Sequence, residues 1–327
     1  MPYPFLSYAL RLVALTLLLA GSGCQVVHPR TGSPDNTNSY CVPPQRFGGT
    51  TSGPSAGPLD TTALPQLSAR GQQLAHAYGL TPALRRLLQP LPASHEPTPA
   101  AYRAFVRQRQ ALALQVVQAS AEAVRVAEEL QCEKQRADQA AVAVQAQQTK
   151  QTRNFTLASL LAGAASGTVS ATVRNPSEAN LNLVLTVGTA AISAGFGIVT
   201  LFVNPQLDYP LPDNLLADVW YQRPQPTYYS AGLWASLNEV PVGRPDLHIP
   251  PPLAHLRQRW ARYDQLTKGK PAQQTQQQAL YFGSGGRYHL ADLQVRSGML
   301  AQLEVAVRAV NQDLQKLLVE VSSAESP

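Results

Sequence analysis

The sequence predicts a mainly α-helical protein, in which long heptad-patterned helices form a coiled-coil-like bundle with a hydrophobic helical hairpin and a small irregular cap. Three observations carry this expectation. From Pro99 to Arg153 the chain has no Gly and, past its start, no Pro, and its apolar residues recur at steps of three and four. The segment 286–322 repeats that rhythm. Between them lie two uncharged stretches, 155–173 and 181–203, separated by a short polar loop.

The N-terminus comes first. Residues 1–23 have one basic side chain, Arg11, then the apolar core Leu12–Ala20, then Gly21-Ser22-Gly23-Cys24. A core this short, with these flanks, reads as an export signal rather than a stable membrane span. The stretch Leu19-Ala20-Gly21-Ser22-Gly23-Cys24 resembles the lipobox of bacterial lipoproteins. It departs from that pattern at Gly21, where the family usually has Leu. The resemblance implies cleavage before Cys24, acylation of its thiol and anchoring in a membrane. Gln25 follows, and in enterobacterial lipoproteins the absence of Asp at this position favours the outer membrane. The expected location is therefore the periplasmic side of a bacterial envelope. Two other cysteines remain, Cys41 and Cys132. An exported chain permits a disulfide between them; the alternative is two buried thiols.

Residues 24–60 are rich in Pro, Gly, Ser, Thr and Asn, as in Gly48-Gly49-Thr50-Thr51-Ser52-Gly53-Pro54. They read as a flexible tether that cannot bury a core of its own. Residues 61–98 hold two short helical patterns, Leu67–Tyr78 and Pro82–Leu88, the second with Thr81 as its expected N-cap. The long helix 99–153 follows. Its seam is Leu112, Val116, Ala119, Ala123, Val126, Leu130, Ala137, Ala140 and Val144, with a skipped position at Glu133.

Residues 154–204 form the predicted hairpin. Each uncharged stretch is long enough to cross a hydrocarbon core of ~30 Å as a helix. Gly163 and Gly167 in the first arm, and Gly188 and Gly195 in the second, supply small residues for close helix packing. Two readings stay open: insertion in a membrane, or the buried centre of a bundle. Lys150 and Arg153 precede the hairpin, and the positive-inside rule sets them against the orientation that export implies.

Residues 205–285 are rich in Pro and aromatics, with short helices expected at Asp213–Tyr221, Ser230–Leu237 and Pro252–Thr267. Gln273–Gln278 reads as a loop or a helix start. Gly283-Ser284-Gly285-Gly286 reads as the turn that leads into the last helix; an anion nest is the alternative. The last helix, 286–322, carries its seam at Leu293, Leu300, Leu303, Val307, Val310, Leu314, Leu317 and Val321, with Arg296 as its single polar interruption.

Functional classes follow from what these segments carry. The net charge of +6 is spread along the chain, and no basic run alternates with aromatics, so nucleic acid is not an expected partner. No zinc-protease spacing, paired C-x-x-C, phosphate loop or nucleophile elbow occurs, so no catalytic, cofactor or metal residues are assigned. The expected function is a membrane-anchored structural or interaction lipoprotein that scaffolds or docks a partner through its extended helices. Membrane lipid and a protein partner, or self-association through the heptad helices, are the expected contacts. A membrane-active channel or pore component is the alternative, and an enzyme is a disfavoured third reading.

Overall fold

A computed structural model describes residues 64–88, 98–172, 204–240, 250–262 and 270–324, with Gly53–Ser55, Gly57, Leu59, Val242 and Leu266 as isolated additions. Side chains in the long helix are described as far as Asn154. Cys24, Cys41, Gly188 and Gly195 lie outside the described residues, as does the whole segment 181–203. Gly163 and Gly167 lie on described backbone with side-chain surroundings that are not.

The described elements are, in order, α1 (Ala69–Ala77), α2 (Thr81–Leu87), α3 (Pro99–Thr172), β1 (Leu207–Pro210), α4 (Leu215–Tyr221), α5 (Ala231–Asn238), α6 (Pro252–Trp260), α7 (Pro271–Phe282), β2 (Gly285–Tyr288) and α8 (Leu290–Ala324). The fold is mainly α, as the heptads predict.

The two long helices cover each other. Cross-links run from Ser120 to Asn311, Gln131 to Arg308, and Asp138 to Ser297. The numbers rise on α3 as they fall on α8, so the pair is antiparallel. Every apolar seam residue of α3 from Leu112 to Val144 is buried, and so is every seam residue of α8. A 35-residue helix does not persist alone in water without such cover. The remaining elements lie across one face of this pair. Arg70 of α1 bonds Asp313 at 3.0 Å, and the indole N–H of Trp260 on α6 donates to Gln302 at 3.1 Å.

Several boundaries differ from expectation. The helix expected to stop at Arg153 runs unbroken to Thr172, 74 residues in all. No proline interrupts this stretch, and isolated glycines such as Gly163 weaken a helix without ending it. Thr81 is not a cap: Leu80 holds that position, with no side-chain bond, and Thr81 is the first helical residue. Gln273–Gln278 keeps to one of its two readings, a helix start, as the third to eighth residues of α7. The helix expected over Pro252–Thr267 ends as α6 at Trp260.

The glycine turn also has another role. It does not cap α8 directly but becomes β2, which pairs antiparallel with β1. Gly285 has φ of +85°, and a Cβ there would stand 2.2 Å from the Tyr209 carbonyl oxygen. Only glycine fits so tight a backbone contact. The cap is aromatic, as predicted: Trp220 and Phe282 stack at 4.4 Å, and Tyr209 meets Tyr288 edge-on at 5.6 Å.

Candidate functional site

The most concentrated chemistry lies where α3, α4, α7 and α8 meet the two-stranded sheet. At its centre is Arg296, fully buried on α8. Its Nη1 donates to the Tyr281 carbonyl at 2.9 Å, and both terminal nitrogens reach Asn214 Oδ1 at 3.4 Å. Its Nη2 lies 3.9 Å from Glu133 Oε2. Glu133 is the skipped position of one seam and Arg296 the interruption of the other, so the two irregularities of the heptads face each other. A polar residue on a packed seam is tolerated when its partner stands opposite.

Asn214 ties this pair to the cap. Its amide donates to the carbonyls of Tyr281 and Gly283, and its Oδ1 accepts from the Leu216 N–H as the N-cap of α4. The Tyr281 hydroxyl donates to Asp292 Oδ1 at 2.7 Å, while Asp292 Oδ2 accepts from the His289 N–H at 3.1 Å and closes the first turn of α8. Burial pushes the Tyr209 and Tyr288 phenols up to about 12. For Tyr209, the neighbouring Glu133 carboxylate adds to that rise. Both phenols therefore stay neutral at ordinary pH, and the Tyr288 hydroxyl donates to the Leu280 carbonyl.

A second polar group lies between α3 and the cap. Glu122 and Glu129 are buried one heptad apart. The Ser230 hydroxyl caps α5 by accepting from the Leu233 N–H. The Tyr78 ring packs so closely on Gly232 that a Cβ there would stand 2.4 Å from it. Burial raises the Glu122 carboxyl above its usual range, with the Ser230 hydroxyl and the Arg125 guanidinium pulling the other way. Nearby, Asp218 is fully buried and accepts from the N–H groups of Thr227 and Tyr228, holding the loop before α5 in place.

A raised carboxyl binds its proton more tightly folded than unfolded. Its contribution to stability is therefore greatest at low pH and is lost as pH rises through the folded value. Glu122→Gln should raise the thermal midpoint at neutral pH, by roughly 2–4 °C for each kcal/mol of burial cost relieved. It should also flatten the wild-type dependence between neutral pH and the ordinary glutamate range. A pH series of melting curves on both proteins checks this. Parallel curves would mean that burial does not raise the Glu122 carboxyl.

Among the described residues no group of three or more His, Cys, Asp or Glu could hold a metal ion. Asn214 and Glu122 carry no mark in a linear reading, because Asn214 reaches Tyr281 and Gly283 and Glu122 faces Ser230, all from distant segments. Cys132 is disulfide-bonded; the other two cysteines lie outside the described residues. A shallow groove of about 570 Å³ lies where α8 begins, lined by Gln145, Gln148, Thr149, Thr152 and Arg153 of α3 and by Leu290. Among the described residues no helix is long and apolar enough to cross a membrane. Comparison with known protein families, with curated proteins and with solved structures finds no match to this chain.

Proposed function

We propose that the protein is a structural lipoprotein of a bacterial envelope, anchored through Cys24, that uses its bundle to hold a partner at a membrane. The observation that carries this reading is the overhang of α3. Leu290 begins α8 beside Arg153, yet α3 continues to Thr172, about 30 Å further at 1.5 Å per residue. That extension is the uncharged stretch that starts at Phe155, with exposed Lys150 and Arg153 at its base. Its length is comparable to the ~30 Å hydrocarbon thickness of a bilayer, but no helix among the described residues is apolar enough to cross one, so the arm is read as a lipid contact and not as a span.

Chain connectivity agrees with a hairpin. Beyond Thr172 the chain must return to β1, which pairs with β2 just before α8 begins. The 23 uncharged residues 181–203 would cover about 35 Å as a helix, enough for that return. Two attachments would then act together, the acyl chains at Cys24 and the hairpin. The bundle itself offers packing rather than chemistry, since its buried carboxylates and phenols sit in hydrogen-bonded or closed surroundings.

Fractionation of a bacterial host expressing the chain tests both attachments. Wild-type protein should label with radioactive palmitate and sediment with membranes. Cys24→Ser should lose the label, and deletion of 155–203 in that background should release the protein to the soluble fraction. A wild-type chain that takes no label and washes free in carbonate would overturn the reading.

A further inference from the structure

Along its length α3 turns one line of residues to the outside of the bundle. In the heptads that put Val116, Ala123, Leu130, Ala137 and Val144 on the seam, the positions directly opposite are Arg107, Leu114, Ala121, Glu128, Gln135 and Val142. All of these are exposed. On one flank of the seam α8 packs, bonded to Ser120, Gln131 and Asp138. On the other the cap packs over Glu122 and Glu129. The line therefore points away from both and has no cover among the described residues.

Charge changes character from the middle of α3 to its ends. In the middle the cations are ion-paired, Arg125 with Glu129, Lys134 with Asp138 and Arg136 with Glu133. Towards the ends, Arg103, Arg107, Lys150 and Arg153 are exposed and have no ion pair among the described residues. Arg107 is on the line, Arg103 and Arg153 fall next to it, and Lys150 is at its edge. Glu128 is the one acid on the line, and Asp138 beside it is held by Lys134 and Ser297. Leu114 and Val142 on the line, and Val117 next to it, are more than half exposed. Arg103 and Arg153 stand about 75 Å apart at 1.5 Å per residue. No single small anion meets both, whereas an extended negative surface does.

We infer that α3 lies along a membrane surface that carries anionic phospholipid, with this line turned to the headgroups. Charge complementarity is the first argument. The free cations at both ends meet lipid phosphates, and Leu114, Val117 and Val142 between them reach the headgroup boundary. Continuity is the second. Without a break, α3 runs into the uncharged stretch from Phe155 to Thr172. An arm that rests on lipid without crossing it brings the rest of the same helix down beside that surface. The inference rests on the reading of the arm as a lipid contact, and adds to it the side of the bundle and the class of lipid. On α8 the positions opposite its own seam, among them Val305 and Val319, point the other way, into water.

Flotation of the full chain with phosphatidylcholine vesicles, with and without phosphatidylglycerol, tests it. Cys24→Ser is used throughout so that acyl chains do not mask the contact. Phosphatidylglycerol should tighten binding by about 100-fold or more, at roughly five-fold for each basic residue at the surface. Replacing Arg103, Arg107, Lys150 and Arg153 together by Gln should abolish that preference with helicity unchanged, and Glu128→Lys should increase it. Brominated phospholipid should quench the emission of Val142→Trp and leave that of Val319→Trp as it is. Equal affinity for the two vesicles would overturn the inference while leaving the arm as a lipid contact. Quenching at Val319 and not at Val142 would overturn it as well. So would shielding of Val142→Trp from a water-soluble quencher before vesicles are added, because a second copy or another segment would then cover the line. Binding to phosphatidylglycerol that survives deletion of 155–203, with none to phosphatidylcholine alone, would remove the arm as a contact and leave the charged line as the seat of binding.

Discussion

Arg296→Ala should be the most damaging single substitution in the bundle. It removes the cation that faces Glu133 and leaves that carboxylate buried on the seam with only Arg136, at the surface edge, still paired to it. It also strips a donor from the Tyr281 carbonyl and leaves a gap between α8 and α4. Breaking a buried pair by deleting one partner costs about 3–5 kcal/mol, which in a chain of this size is a fall of roughly 10 °C or more in the melting midpoint. The companion variant separates charge from volume. Arg296→Met with Glu133→Leu should recover most of the loss, since replacing both partners with apolar groups of similar size is often neutral or stabilising. Circular dichroism melts of the three proteins read both effects. A double variant as unstable as Arg296→Ala would mean that the hydrogen bonds to Asn214 and Tyr281, not the ion pair, hold the junction.

Trp260→Ala should come close behind. Trp260 heads the fully buried side chains by volume and joins α6 to α8 through its bond to Gln302, while its ring stacks on Phe282 at 6.1 Å. Trp→Ala truncation in a core costs about 3–5 kcal/mol from lost burial and the cavity left behind. The loss should be local in character. α6 should detach first, visible as faster amide exchange over Pro252–Trp260 while α3 and α8 stay protected. Trp260→Phe should fall between, keeping the stack and losing the bond to Gln302. Uniform acceleration of exchange across all helices would show instead that α6 and the long pair unfold as one unit.

Much of this architecture is legible in the chain because a heptad seam is a local statement. Val126 and Leu130 announce a buried face whatever covers it, and α3 and α8 follow from such residues alone. Even the disturbances are informative, since Glu133 and Arg296 interrupt the two seams and face each other in the fold. Pairing between distant segments is harder to see. Nothing near Asn214 in sequence signals that it will hold the end of α7 and cap α4 at once. Glu122 and Glu129 fall at positions that a linear reading assigns to solvent, and segments far away in the chain, Tyr78 before α3 and Tyr229 and Ser230 after it, close over them. Gly285 is a third case. The glycine cluster marks a turn, but that the turn becomes a strand depends on Leu207–Pro210 arriving beside it.

The antiparallel pairing of α3 with α8 has a consequence for how the chain comes to be. The groups that cover Leu112–Val144 are supplied by the last 35-residue helix. A growing polypeptide that has not yet made Leu290–Ala324 has a finished α3 sequence and no surface to lay it on. Contacts separated by more than 150 residues close late and slowly. The bundle therefore cannot lock before Leu290–Ala324 has been made. Until then the seam of α3 stays uncovered, an apolar stripe of the kind a chaperone can hold.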